Sequence, residues 1–325
     1  MKRRILVTLM GALALTLLLS GVGQAFVLDG NILTVGVGPS GGLVDLAATP
    51  AFPGDNGQGI TFKPVLPGIP NDFSAPGTPW EFYSIGVGGT IGVRDATKFV
   101  TGGVANLPGG IVKENPSGLP LTTANNSGGT TLQATTSGPA FNVDGGSIIY
   151  TQQVTFDTTF NHIHVSADIL NNSLVDLHNV VYARGIDPDQ DVAIGGGFAT
   201  INTINPDGSV TAFGTKSGLS ITLRDLTFPA LGIHGVASIS DSSPAFPWET
   251  DPYILVQGGF VDGASFTTSP RDWSINMAWL IGDLPHGTSV ELDFEYEFSF
   301  VPVPPAVWLF GSGLLGLGVL RWRRS

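Results

Sequence analysis

Three carboxylates stand at alternate positions in Arg184-Gly185-Ile186-Asp187-Pro188-Asp189-Gln190-Asp191. Oxygen donors so spaced converge on a hard cation such as calcium if the loop curls around it. An EF-hand would place Gly and Glu where this chain has Val192 and Phe198, so a calcium site here has another geometry. The same residues also read as a solvated aspartate-rich turn after a strand over Val175–Tyr182, with Arg184 as its ion-pair partner. His162, His164 and Asp168 also fall at alternate positions, on one side of an expected strand. Two such imidazoles hold zinc only if a third ligand arrives from elsewhere, and a solvated strand face accounts for them more simply.

Other chemistry finds thinner support. Gly36-Val37-Gly38-Pro39-Ser40-Gly41 matches G-x-G-x-x-G, but Pro39 and Gly42 break the helix that a dinucleotide site needs, so a loop is expected. There is no P-loop or H-E-x-x-H. With no cysteine, disulfides, thiolate metal sites and cysteine nucleophiles are all excluded. Two acids flanked by aromatics are the places where a sugar-cleaving pair would be sought: Glu81 beside Trp80 and Tyr83, and Glu249 near Trp248 and Tyr253. The alternative for those aromatics is core packing. No catalytic role can be named from these residues.

The elements that must position these groups are strands. Among 325 residues there are 45 Gly and 23 Pro, which disfavours long helices in the body. In Val290–Phe300, Leu292, Phe294, Tyr296, Phe298 and Phe300 share one face and Glu291, Asp293, Glu295, Glu297 and Ser299 the other. In His162–Leu170 the apolar face is Ile163, Val165, Ala167 and Ile169. Asn205-Pro206-Asp207-Gly208 reads as a hairpin turn between Ile201–Ile204 and Val210–Phe213. Further strands are expected at Ile32–Val37, Glu81–Val87, Thr90–Val93, Ile148–Phe156, Leu219–Leu223, Val236–Ile239, Tyr253–Val256 and Ser274–Leu280. Thr101–Ser137, dominated by Gly, Ser, Thr and Asn, reads as a mobile loop. The expected fold is all-β, an antiparallel sandwich, jelly-roll-like or larger, over 26–300. Its 26–140 part should be irregular and its 141–300 part regular.

Six of the 14 basic residues lie at the two ends, which leaves the body eight against all 26 acids. Phosphate recognition needs a basic face, so nucleic acid is not an expected partner. Lys2, Arg3 and Arg4, the apolar run Ile5–Leu19 and the small residues up to Ala25 form a secretory signal peptide over 1–25. It implies signal peptidase and Sec-type export.

At the other end, Val301-Pro302-Val303-Pro304 precedes an apolar span over 306–320, and Arg321, Arg323 and Arg324 follow it. The span reads as a transmembrane helix, with the arginines holding the end in the cytoplasm. These last 25 residues resemble the PEP-CTERM sorting signal of Gram-negative bacteria, with Val303 where Glu is usual. The resemblance implies an exosortase as processing partner, an inner-membrane precursor, and a final place at the cell surface or outside the cell. It says nothing of the body. The expected work is structural or adhesive, in a surface or extracellular polysaccharide layer. The alternatives are a carbohydrate-active or carbohydrate-binding protein on the same route, and a periplasmic domain permanently anchored by its C-terminal helix.

Overall fold

The computed structural model describes residues 25–50, 55–63, 72–76, 79–107, 111–143, 145–242, 248–260 and 270–300. The tail, with its 306–320 span, and the expected signal peptide up to residue 24 lie outside them. No helix among the described residues is long and apolar enough to cross a membrane.

The first strands in chain order are β1 (Phe26–Asp29), β2 (Leu33–Val37), β3 (Ile60–Phe62), β4 (Glu81–Gly86), β5 (Phe99–Leu107) and β6 (Ile111–Glu114). Next come β7 (Thr122–Asn125), β8 (Thr131–Val143), β9 (Gly146–Asp157), β10 (His162–Asn172) and β11 (Leu177–Ile186). The remainder are β12 (Thr200–Ile204), β13 (Val210–Gly214), β14 (Leu219–Asp225), β15 (Gly235–Asp241), β16 (Gly259–Phe260), β17 (Trp273–Leu284) and β18 (Ser289–Phe300), with a one-turn helix α1 (Pro252–Leu255) before β16.

They form a sandwich. One sheet has eight strands in the order β12-β13-β14-β18-β10-β9-β8-β7, and the other has seven, β16-β15-β17-β11-β4-β5-β6. A third, three-stranded sheet, β1-β2-β3, sends Leu33, Val35 and Ile60 into the same core. Only the short β15–β16 contact is parallel among the described strand pairs. The β12–β13 hairpin turns as its sequence predicts, with Asn205 N–H donating to Ser209 O and Gly208 at φ +84°.

Period-two patterning sets the register. On β18, Leu292, Phe294, Tyr296 and Phe298 are wholly buried, and on β10 so are Ile163, Val165, Ala167 and Ile169. Each large side chain of this kind contributes about 1.5–3 kcal/mol of burial. A one-residue slip would exchange four of them for Glu291, Asp293, Glu295 and Glu297, which fixes the pairing Val165↔Phe294 and its neighbours.

Strands β4 and β11 do not alternate; they are buried along nearly their whole length. One face of each, with Tyr83, Ile85, Tyr182 and Ile186, meets the main core. The other, with Phe82, Val181 and Ala183, is covered by Trp248, Tyr253, Leu255 and Val256. That covering segment corrects one expectation. Tyr253–Val256 is helical rather than extended: Asp251 caps the turn by accepting from Tyr253 N–H at 2.9 Å, and Pro252 sits at the first helical position.

Two further expectations give way. Thr90–Val93 is a turn, closed by Val93 N–H on Thr90 O. The 101–137 stretch is not a loop but supplies most of β5, all of β6 and β7, and the start of β8. Its threonines are β-branched and suit a pleated surface, and pairs such as Thr123–Thr136 and Ser137–Thr151 hydrogen-bond directly between strands.

Candidate functional site

Three neighbouring strands of the seven-stranded sheet end on the same side. Ile186, the last residue of β11, pairs with Ile275 of β17, and Asp241, the last of β15, pairs with Trp273, the first of β17. The residues just beyond these ends therefore meet: Asp187 and Asp189 after β11, Asp272 before β17, and Ser242 after β15. One oxygen from each of the three aspartates lies within 4.8 Å of the others.

Asp187 and Asp189 are buried and Asp272 is half-buried. Backbone bonds from Asp187 N–H to Trp80 O (3.1 Å) and from Asp189 N–H to Phe73 O (2.9 Å) hold the loop in place. The Ser242 hydroxyl lies 2.8 Å from both Asp187 Oδ1 and Asp272 Oδ1, but its single proton satisfies only one of them at a time. Asp189 Oδ1 has no hydrogen-bond partner. Burial pushes the Asp187 and Asp189 carboxyls far up, and the nearby acids push the same way: Asp272 on both, and Asp187 on Asp189. Asp272 is also raised, chiefly by burial. Arg271, next to Asp272 in sequence, pairs with Asp241 and lies over the Trp273 ring at 4.8 Å.

Asp191 is not in this group. Its carboxylate accepts from Lys216 and Ser217 N–H, both at 2.8 Å, and so ties the loop to the β13–β14 turn. Asp272 takes the third place. Nothing local to Arg271-Asp272-Trp273 marks it; only the pairing of β11, β17 and β15 brings it there.

Arg184 also turns away from the aspartates. Strand alternation puts it on the inner face with Tyr182 and Ile186, and it is wholly buried between the sheets. Its Nε donates to Glu81 Oε1 at 2.5 Å and to Tyr296 Oη at 3.3 Å, and its Nη1 donates to Gln152 Oε1. The guanidinium carbon lies 5.8 Å from the Tyr83 ring centre and 5.7 Å from that of Phe294. Glu81 Oε2 accepts from Leu43 N–H at 2.6 Å. Burial raises the Glu81 carboxyl and Arg184 pulls it back. For Arg184, burial is the largest influence and opposes its charge, but Glu81 together with Tyr296, Tyr182 and Tyr150 outweighs it, so the guanidinium stays protonated.

Both acids named as sugar-cleaving candidates are thus committed to structure. Glu81 is sealed between the sheets. Glu249 sits in the segment over the far face, accepting from Asp251 N–H and pairing with Arg94. Its neighbour Trp248 packs on Trp80, 4.7 Å between ring centres. The histidine pair is not gathered into a site either: His162 stacks on Phe160, and His164 lies 3.3 Å from Asp293. Of the G-x-G-x-x-G segment, Gly36 and Val37 end β2, and only Gly38 to Gly41 form the expected loop, with no helix after it. A side chain at Gly36 would strike Gln58 O, and Gly41 turns at φ +82°. The segment's glycines allow a close backbone approach and a tight turn.

Glu114 on β6 is half-buried, with Oε1 unpartnered, and burial, reinforced by Asp45, raises its carboxyl to about 7. The folded state holds this proton more tightly than the unfolded chain does. Its contribution is therefore full below the ordinary glutamate range and is lost as pH rises through about 7. Glu114→Gln should stabilise the protein by about 1–2 kcal/mol at pH 8, after allowing for solvent screening, and by almost nothing at pH 4. Urea unfolding of both proteins at the two pH values checks this; an equal gap at both refutes it.

No family model matches the chain, and no curated protein matches it. Solved structures give remote likenesses. A heparan sulfate lyase HepC mutant from Pedobacter heparinus is 8% identical, with TM-score 0.41 over 87% of this chain and 36% of that one. A TPR-domain containing protein from Parabacteroides distasonis is 8% identical, with TM-score 0.45 over 86% of this chain and 47% of that one. A candidate aldose 1-epimerase from Escherichia coli K12 is 12% identical, with TM-score 0.40 over 86% of this chain and 99% of that one. The chain spans less than half the length of the first two. Likenesses at this level carry no inference about chemistry.

Proposed function

We propose that the chain is an exported envelope protein, sorted by an exosortase, whose sandwich does structural or adhesive work at the cell surface or in an extracellular polysaccharide layer. The observation that carries this reading is the order at the C-terminus: the Val301-Pro302-Val303-Pro304 segment, the apolar span, then Arg321, Arg323 and Arg324. It starts immediately after Phe300, the last residue of β18, so its removal would leave the described strands intact. The prolines keep the segment extended for a protease, and the arginines resist passage through the bilayer.

Two features of the body agree with structural or adhesive work. Its acids flanked by aromatics are engaged internally. The outer face of the eight-stranded sheet presents hydroxyl, amide and carboxylate groups in rows, such as Thr151, Gln153 and Thr155 on β9 and Ser166 and Asp168 on β10. An array of this kind can hydrogen-bond a polysaccharide.

Mass spectrometry of the two termini, on protein recovered from membrane, envelope and medium, tests the reading. With the exosortase present, the mature chain should begin near Phe26 and lack the arginine cluster. Without the exosortase, full-length protein should collect in the inner membrane. Surface protein with an intact tail and no exosortase would refute sorting and leave the permanently anchored alternative.

A further inference from the structure

We propose that Asp187, Asp189 and Asp272 hold a hard divalent cation, calcium or magnesium, that pins the ends of β11 and β17 together. The proposal does not depend on the sorting reading, because it rests on the body alone.

The first support is geometric. Calcium–oxygen bonds are about 2.3–2.6 Å, so two oxygens on one ion lie no more than about 5 Å apart. One oxygen from each of the three carboxylates meets that limit, at 4.8 Å or less. The second is an orphan. Asp189 is about 2% exposed, belongs to the cluster, and has an Oδ1 with no hydrogen-bond partner. Leaving a buried carboxylate oxygen unpaired is costly, and a cation among the three aspartates removes that cost. The third is the charge balance. Arg271, the nearest basic residue in sequence, is paired with Asp241 and lies over the Trp273 ring, and its pull on Asp272 is smaller than the burial that raises that carboxyl. The Ser242 hydroxyl supplies one proton to two carboxylates. The donor set is oxygen throughout, which favours calcium or magnesium over metals that prefer nitrogen or sulfur.

The ligands come from segments far apart in the chain, on either side of β12 to β16, so an ion here would link remote strand ends across the sheet. Binding to the folded state alone raises stability by mass action.

The test uses the full-length chain in mild detergent, melted in chelator, in calcium chloride and in magnesium chloride. One of the two ions, at about 100-fold its dissociation constant, should raise the melting temperature by about 5 °C or more. Asp189→Asn removes a buried charge with little change of shape. It should leave the melting temperature in chelator unchanged or higher and abolish the rise. Asp272→Asn, at a half-buried position, should also abolish it. Asp191→Asn disturbs the β13–β14 turn rather than the cluster, and should melt lower in every buffer while keeping the rise. Isothermal titration of the same ions should show one site in the wild type and none in Asp189→Asn. No rise with either ion overturns the proposal. So does a rise that survives both Asp189→Asn and Asp272→Asn.

Discussion

Leu292→Asp should leave the chain unable to fold, whereas Glu291→Lys, one residue earlier, should shift stability by no more than about 0.5 kcal/mol. Leu292 is wholly buried on the inner face of β18, opposite Ala167. An aspartate there loses a burial contribution of about 2 kcal/mol and leaves a charge without a partner in the core. The combined cost rivals the about 5–15 kcal/mol that holds a whole domain together. Glu291 points outward and lies opposite Asp168, and its charge raises the carboxyls of both Asp168 and Asp293. A lysine at 291 loses one hydrogen bond from Ser166 and relieves that repulsion. Circular dichroism and urea unfolding distinguish the two variants. Equal damage from both would mean that the register of β18 is wrong.

The second large effect lies in the centre of the sandwich. Glu81→Leu should destabilise the protein by about 3–5 kcal/mol, because it leaves the Arg184 guanidinium buried without its counter-charge. Adding Arg184→Met should restore part of that loss, since the double variant no longer buries a lone charge. Recovery is incomplete because Leu43 N–H and the Tyr296 hydroxyl both lose an acceptor in Glu81. A double-mutant cycle in urea reads the coupling directly. If the double variant is as unstable as the sum of the two single changes, the pair is not coupled and the account of the core fails.

Strands with one wet face were legible from sequence alone. On β10 and β18 the alternation of side chains reports burial directly, because one face meets water and the other does not. Strands β4 and β11 were harder to interpret, since the cover over their second face comes from Trp248–Val256, more than 60 residues beyond β11. The threonine-rich strands β7 and β8 read as loop by composition, although their β-branched residues suit a strand. Asp187 and Asp189 stood out by their spacing. Asp272 did not, because its place depends on which strands pair. Arg184 looked like a partner for those aspartates until strand alternation put it on the inner face; its actual partner, Glu81, lies on a strand about a hundred residues earlier.

The position of β18 has a consequence for how the molecule comes into being. It hydrogen-bonds β10 on one side and β14 on the other, so it is the seam between the two halves of the eight-stranded sheet. Of the described strands it is the last to leave the ribosome. Until it arrives, β10 and β14 each present an open edge, and the apolar face beneath them cannot close. Folding of the larger sheet is therefore postponed to the end of synthesis, with pairings that span from 69 residues (Asp225↔Phe294) to 135 (His162↔Glu297) and form slowly. Under the proposed export route this delay would be useful: the sequence cannot complete its larger sheet while β18 is still to come.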